Sequence, residues 1–192
     1  MSVEISDEEF SSVDFTTQIF PDGVYENCVF RNCNFESVDL LTSKFLDSQF
    51  IDCNLSLAKI QKVGFRKVLF QGCKMLGVIF DEVDDFGLSL YFKECNLSNS
   101  SFYQLKLKKI MFYNSNLIEV DFTEADLSSV TFKQCNLLGA IFDHTNLEKA
   151  DLRTSYNFTI NPNQNRLKGA QFSVSSLQGL VAHLGIKVDK NS

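Results

Sequence analysis

The chain has 192 residues, 44% of them hydrophobic, and carries 18 Lys and Arg against 24 Asp and Glu, a net charge of −6. That length suits one domain with a sizeable core, with no proline- or glycine-rich linker to divide it. The acidic balance argues against direct nucleic-acid binding, which needs a dominant basic face. No apolar stretch is long enough to span a membrane.

Residues 1–9 hold Glu4, Asp7, Glu8 and Glu9 with no basic or apolar run, so a secretory signal is not expected. Phe10, Phe15, Phe20 and Tyr25 then recur every fifth residue. We read residues 1–24 as an N-terminal cap with a ragged first coil and a turn at Pro21-Asp22-Gly23.

From Cys28 to Phe80 large apolar residues keep the same step: Phe30, Phe35, Leu40, Phe45, Phe50, Leu55, Ile60, Phe65, Phe70, Met75 and Phe80. A smaller residue lies two positions before each. A period of five suits neither a helix nor a strand, so the chain must turn within every repeat. The column Phe30, Phe50, Phe70 and the column Cys33, Cys53, Cys73 recur at twenty, which makes four pentads one square coil. Both columns resume two residues late, at Phe92, Phe112, Phe132 and at Cys95, Ser115, Cys135, which puts a two-residue insertion near 81–89. The 19 phenylalanines without one tryptophan follow if a single ring size stacks coil upon coil.

The six cysteines all occupy the small inward slot, with no CxxC and neither His144 nor His183 in the cysteine column. They are expected to be free, buried thiols without a metal, as suits a reducing cytoplasm. Asn34, Asn54, Asn96, Asn116 and Asn136 form a second ladder, read as structural hydrogen bonding along one corner.

Lys59, Lys62, Arg66, Lys67 and Lys74 are followed by Asp81, Glu82, Asp84 and Asp85 in the insertion. Counting by twenty places this acidic loop between Arg66 and Lys67 on one side and Lys106, Lys108 and Lys109 on the other. Solvated ion pairs and a partner-binding patch are both open readings there. Further acids follow at Glu119, Asp121, Glu124, Asp126 and Asp143, where they imitate the phosphate rows of a duplex or simply keep a rod soluble.

After Leu152 the pattern weakens: Asn157 stands where an apolar centre is due, and Asn161-Pro162-Asn163 reads as a turn. Residues 25–172 are therefore assigned to the repeat solenoid and 173–192 to a C-terminal helix and tail. Leu177, Leu180, Val181 and Leu184 have helical spacing, with Ser173 or Ser175 as N-cap and Gly185 as the stop. No nucleophile with a base, metal-ligand spacing or phosphate-cradling loop is present, so neither catalysis nor a cofactor is expected.

The repeats CNFES, CNLSL, CNLSN, ADLSS and ADLRT resemble the pentapeptide repeat proteins over residues 25 to 177. The resemblance implies an all-β fold, a right-handed quadrilateral parallel β-helix with a short C-terminal capping helix. The segment Arg153 to Arg166, with INPNQNR at its end, and the later LGIKV look like the quinolone-resistance and microcin-immunity members. That likeness implies a DNA mimic that binds DNA gyrase or topoisomerase IV, for which the acids Asp81, Glu82, Asp84, Asp85, Glu119, Asp121, Glu124, Asp126 and Asp143 are the candidate partner-binding surface; a cytoplasmic location is expected from the free thiols. It also implies a tail-to-tail homodimer through Leu180, Val181, Leu184, Ile186 and Val188. An interaction scaffold with an unrelated partner is the alternative.

Overall fold

The computed structural model describes residues 3–40, 42–108 and 110–186. Its strands are three or four residues long, because each pentad leaves room for no more before the next corner. They are β1 (Val3–Ser6), β2 (Glu9–Ser11), β3 (Gly23–Glu26), β4 (Val29–Arg31), β5 (Lys44–Leu46), β6 (Gln49–Ile51), β7 (Gly64–Arg66), β8 (Val68–Gln71), β9 (Leu90–Lys93), β10 (Met111–Tyr113) and β11 (Thr131–Lys133). One sheet runs β1-β3-β5-β7 and the other β11-β10-β9-β8-β6-β4-β2, with every pair parallel.

We call the side of the first sheet face one and that of the second face two. The remaining sides, faces three and four, are joined by isolated parallel bridges, such as Asn34 to Asn54 on face three and Ser101 to Asp121 on face four. Together the four sides form a quadrilateral parallel solenoid. The twenty-residue step is the bridge register itself, since Phe30 pairs Phe50 and Phe50 pairs Phe70.

Each corner needs a backbone reversal. At most corners the residue two past the pentad centre supplies it by adopting the left-handed conformation, as in Asn32 (φ 51°), Asp52 (φ 54°), Leu57 (φ 57°) and Glu124 (φ 56°). Such a conformation is costly for a residue with a Cβ and easiest for Gly, Asn and Asp, so the corners explain much of the polar composition.

The core is a set of ring columns. Phe50 lies between Phe30 (4.8 Å) and Phe70 (5.0 Å) in near-parallel stacking and meets Phe45 edge-on at 5.1 Å. The slot residues satisfy backbone groups as they pack. Cys53 Sγ sits 3.3 Å from the Phe30 carbonyl oxygen and 3.4 Å from that of Ile51. Ser48 Oγ uses the same geometry toward Tyr25 and Leu46 and also accepts from Cys28 N. All six cysteines are buried and free, and burial pushes the Cys135 thiol up to about 11. Tyr25, buried with its hydroxyl donating to Pro21 O at 2.7 Å, is pushed up to about 12 by the same cause.

The asparagine ladder forms mainly by closing local turns. Asn34 and Asn54 Oδ1 accept from the backbone N–H two residues on, and Asn54 Nδ2 donates up the stack to Asn34 at 3.4 Å. Asn116 Oδ1 is buried without a partner.

The insertion falls within residues 85–89. Gly64 still bridges Asp84 at the twenty-residue step, whereas Val68 pairs Leu90 at twenty-two. The two extra residues bulge from face one. Arg66 Nε donates to Phe86 O at 3.2 Å, and the Arg66 guanidinium lies 4.9 Å from the centre of the exposed Phe86 ring.

At the far end Phe158, not Asn157, fills the core position, and Asn157 takes a left-handed corner. The expected helix is broken into a 3-10 turn at Val174–Ser176, α1 (Gln178–Val181) and a second 3-10 turn at Ala182–Leu184, closed by left-handed Gly185. Ser173 occupies the N-cap position of the first turn without a side-chain cap bond. The glycine at 179 lets α1 approach closely, since a Cβ there would lie 2.4 Å from Phe158 O. Among the described residues no helix is long and apolar enough to cross a membrane.

Truncating Phe50 to alanine removes a ring stacked on both sides, and urea unfolding should show a loss of about 3–5 kcal/mol. An unfolded cysteine ionises near pH 8.5, so the stability that neutral, buried Cys135 contributes is complete below that pH and is lost as pH rises toward its folded value. Unfolding midpoints should therefore fall between pH 8 and 10.5, and Cys135→Ser should remove up to about 2 kcal/mol of that fall. Arg66→Ala should speed amide exchange at Phe86 and Gly87 about threefold to fivefold while global stability changes by less than about 1 kcal/mol.

Candidate functional site

The coil sorts charges that look intermingled in the sequence. Faces three and four from Met75 onward are built by residues 75–82, 95–104, 115–124 and 135–144. These segments contain Asp81, Glu82, Glu119, Asp121, Glu124 and Asp143 and no Lys or Arg. Of the bases of the same coils, Lys93, Lys106, Lys108 and Lys133 are carried by faces one and two, while Lys74 stands on face three just before Met75, bridged to Asn96. Six of the nine acids named from the sequence therefore share one side of the rod.

Five of these carboxylates are held by uncharged donors. Asp81 Oδ1 accepts from Ser101 Oγ (2.7 Å) and from Tyr103 N (2.9 Å). Glu119 and Glu124 each accept from an amide one coil back, Asn99 Nδ2 and Gln104 Nε2, both at 2.7 Å. Asp121 Oδ1 accepts from Thr123 N at 2.8 Å, Glu82 accepts from Gln61, and Asp143 lies 2.9 Å from His144 Nδ1. Neutral donors fix the position of a carboxylate without cancelling its charge. Exposed Ile79, Tyr103 and Ile141 sit among these acids and add apolar contact area.

The other three lie on face one. Asp84 Oδ1 accepts from Phe86 N and shapes the bulge, beside which Asp85 is placed. Asp126 is paired with Lys108 at 3.2 Å; burial opposes its ionisation, but hydrogen bonds from Ser128 and the Lys108 ammonium hold its carboxyl below the usual range. The expected clamping of the acidic loop between two basic rungs takes a different form. Arg66 engages the Phe86 backbone and ring, Lys67 turns back to Asp47 at 3.0 Å, and Lys108 turns forward to Asp126. Lys109 lies outside the described residues.

Toward the N-terminal half, face four carries an open groove of about 750 Å³ between Leu57, Lys59, Lys62, Ile79, Asp39 and Glu82. Lys59 and Lys62 end the base-free surface there. Among the described residues no group of three or more His, Cys, Asp or Glu is arranged to hold a metal.

At the C-terminal end Leu184 and Ile186 are exposed, as are Leu177 and, unmarked by the sequence spacing, Val174. Leu180 packs on the core, and Val181 is half-buried. Val188 lies outside the described residues.

The sequence pattern of the pentapeptide repeat region matches residues 89–181. No curated protein sequence matches the chain. Among solved structures it is similar to two trypsin-treated variants of QnrB1, a plasmid-mediated fluoroquinolone resistance protein. These are 19% and 21% identical, with TM-scores of 0.63 and 0.64 over 98% of either chain. It is also similar to HetL from the cyanobacterium Nostoc sp. strain PCC 7120, a pentapeptide repeat protein involved in heterocyst differentiation regulation. HetL is 13% identical, with a TM-score of 0.61 over 92% of this chain and 89% of that one. At these identities the likeness is one of fold. The five-residue register, the pentapeptide repeat region matched at residues 89–181 and the shared solenoid together give this chain the fold of the pentapeptide repeat proteins.

Proposed function

We propose that this protein is a non-enzymatic binding rod whose acidic side occupies a protein groove built for duplex DNA, and that its partner is a type II topoisomerase, DNA gyrase or topoisomerase IV. The observation that carries the reading is the run from Asp81 to Asp143 on faces three and four, with six carboxylates and no base. Three coil steps of about 4.8 Å span roughly 14 Å, which is about one charge per 2.4 Å, against one per roughly 1.7 Å along a duplex. That density is close enough for charge complementarity to steer the rod into a basic saddle. Binding would shield the enzyme from a quinolone or a peptide toxin, in line with the resistance role stated for QnrB1. A tail-to-tail homodimer through exposed Leu184 and Ile186, with Leu180 and Val181 behind them, would double the length of the acidic rod.

The first test is gyrase supercoiling in the presence of ciprofloxacin. The parent protein should restore supercoiling. A variant combining Glu119→Gln, Asp121→Asn, Glu124→Gln and Asp143→Asn, shown by circular dichroism to stay folded, should need at least about tenfold more protein. Equal potency of parent and variant removes the acidic side from the reading. No effect of the parent on either topoisomerase leaves an interaction scaffold with another partner, a role that the same fold admits.

A further inference from the structure

The two ends of the rod are finished differently. At the C-terminal end the segment containing α1 folds over the last coil, where Gly179 O accepts from Ile160 N at 3.0 Å. At the N-terminal end β1 and β2 are the outermost strands of their sheets, and no described strand lies beyond them. Val3, Asp7 and Ser12 donate inward to the second coil, to Asp22, Glu26 and Arg31. Because backbone groups alternate along a strand, those of Glu4, Ser6, Glu9 and Ser11 face away from the rod. The ring columns are also uncovered there: Val3, Ile5 and Phe10 are only half-buried, although Phe10 stacks on Phe30 at 4.9 Å. Beside this end a cavity of about 500 Å³ is lined by Phe15, Ile19, Phe20, Val38, Glu36 and Asp39, and Ile19 is 90% exposed.

Charge selects what fits. Residues 1–30 contain Glu4, Asp7, Glu8, Glu9, Asp14, Asp22 and Glu26 and no Lys or Arg. Glu9 is paired with Arg31 of the second coil, while Glu4 and Glu8 form no ion pair among the described residues. A second copy set head to head on this edge would bring the two acidic clusters together, so like-charge repulsion disfavours it.

We infer that the N-terminal edge of the solenoid is a second binding surface, which takes an extended cationic segment of another protein as an added parallel strand. Alternate apolar side chains of that segment would continue the columns of Ile5 and Phe10, and its Lys or Arg residues would meet Glu4 and Glu8. Main-chain hydrogen bonds then supply affinity, and the acids supply selectivity. This inference uses neither the acidic side nor the topoisomerase reading.

The test is an NMR titration of the full chain with a blocked octapeptide alternating lysine and valine. Amide shifts should be confined to residues 3–20. Replacing the lysines with glutamate should weaken binding at least about tenfold. Methylating the valine backbone nitrogens, which keeps every charge and removes the donors that would face the edge, should also cost about tenfold. Glu4→Lys with Glu8→Lys should reverse the preference between the two peptides. Equal binding of the methylated peptide, or shifts centred on Glu119 to Asp143, would mean diffuse attraction to acid and overturn the proposal. Amide shifts at residues 3–20 that grow with protein concentration in the absence of peptide would assign the edge to a second copy and overturn it as well.

Discussion

The constraint on which the rest of this structure depends is the hydrogen bonding of each coil to the next in parallel register. Because residue n pairs with residue n + 20, one choice per column propagates along the rod: a large apolar centre must sit on a large apolar centre, a small slot on a small slot, a corner on a corner. The near-parallel stacking of Phe10, Phe30, Phe50 and Phe70 is a consequence of that register rather than a separate design. The two-residue insertion tests the rule. It is expelled at one corner as the Phe86 bulge, and every column resumes intact at Leu90.

The same register makes the surface a sorted object. On an ordinary globular fold, neighbouring charges in sequence scatter over the surface. Here a position within the twenty-residue coil is a position on one side of a rod, so six acids drawn from four successive coils gather on two adjacent faces, while Asp84, Asp85 and Asp126 share face one with the bases. The acids then touch amides and hydroxyls one coil back, as Glu119 does with Asn99 and Glu124 with Gln104. Such contacts order the carboxylates while leaving their charge to act outward. A rod of this kind has a packed core and presents its faces, corners and ends to a partner, and the two ends are not equivalent. One is closed by a folded-over segment, and at the other β1 and β2 are the outermost of the described strands.

The fold was legible from the sequence because its signal is repeated in nearly every pentad: the step of five, the step of twenty, the slot cysteines and the site of the insertion are all countable in the residues. Less legible was the left-handed conformation at most corners, since residues as different as Leu57, Asn32 and Glu124 adopt it. The terminal helix was overestimated in length, because apolar spacing at Leu177, Leu180 and Leu184 does not report that the chain must also bend to seat Gly179 against Phe158. Asn157 was rightly seen as misplaced, but its replacement by Phe158 one residue later required the coordinates.

What the sequence by itself determined is the solenoid, through periodicity dense enough to specify every inward position. What only the tertiary structure decided is where the outward charges meet. Lys67 could face the acidic loop by counting, yet it turns to Asp47 one coil back, and Arg66 binds a backbone oxygen and a ring instead of a carboxylate. The physical reason is that burial is enforced by a large apolar free energy at every repeat, whereas long, solvated side chains choose among several partners of nearly equal energy.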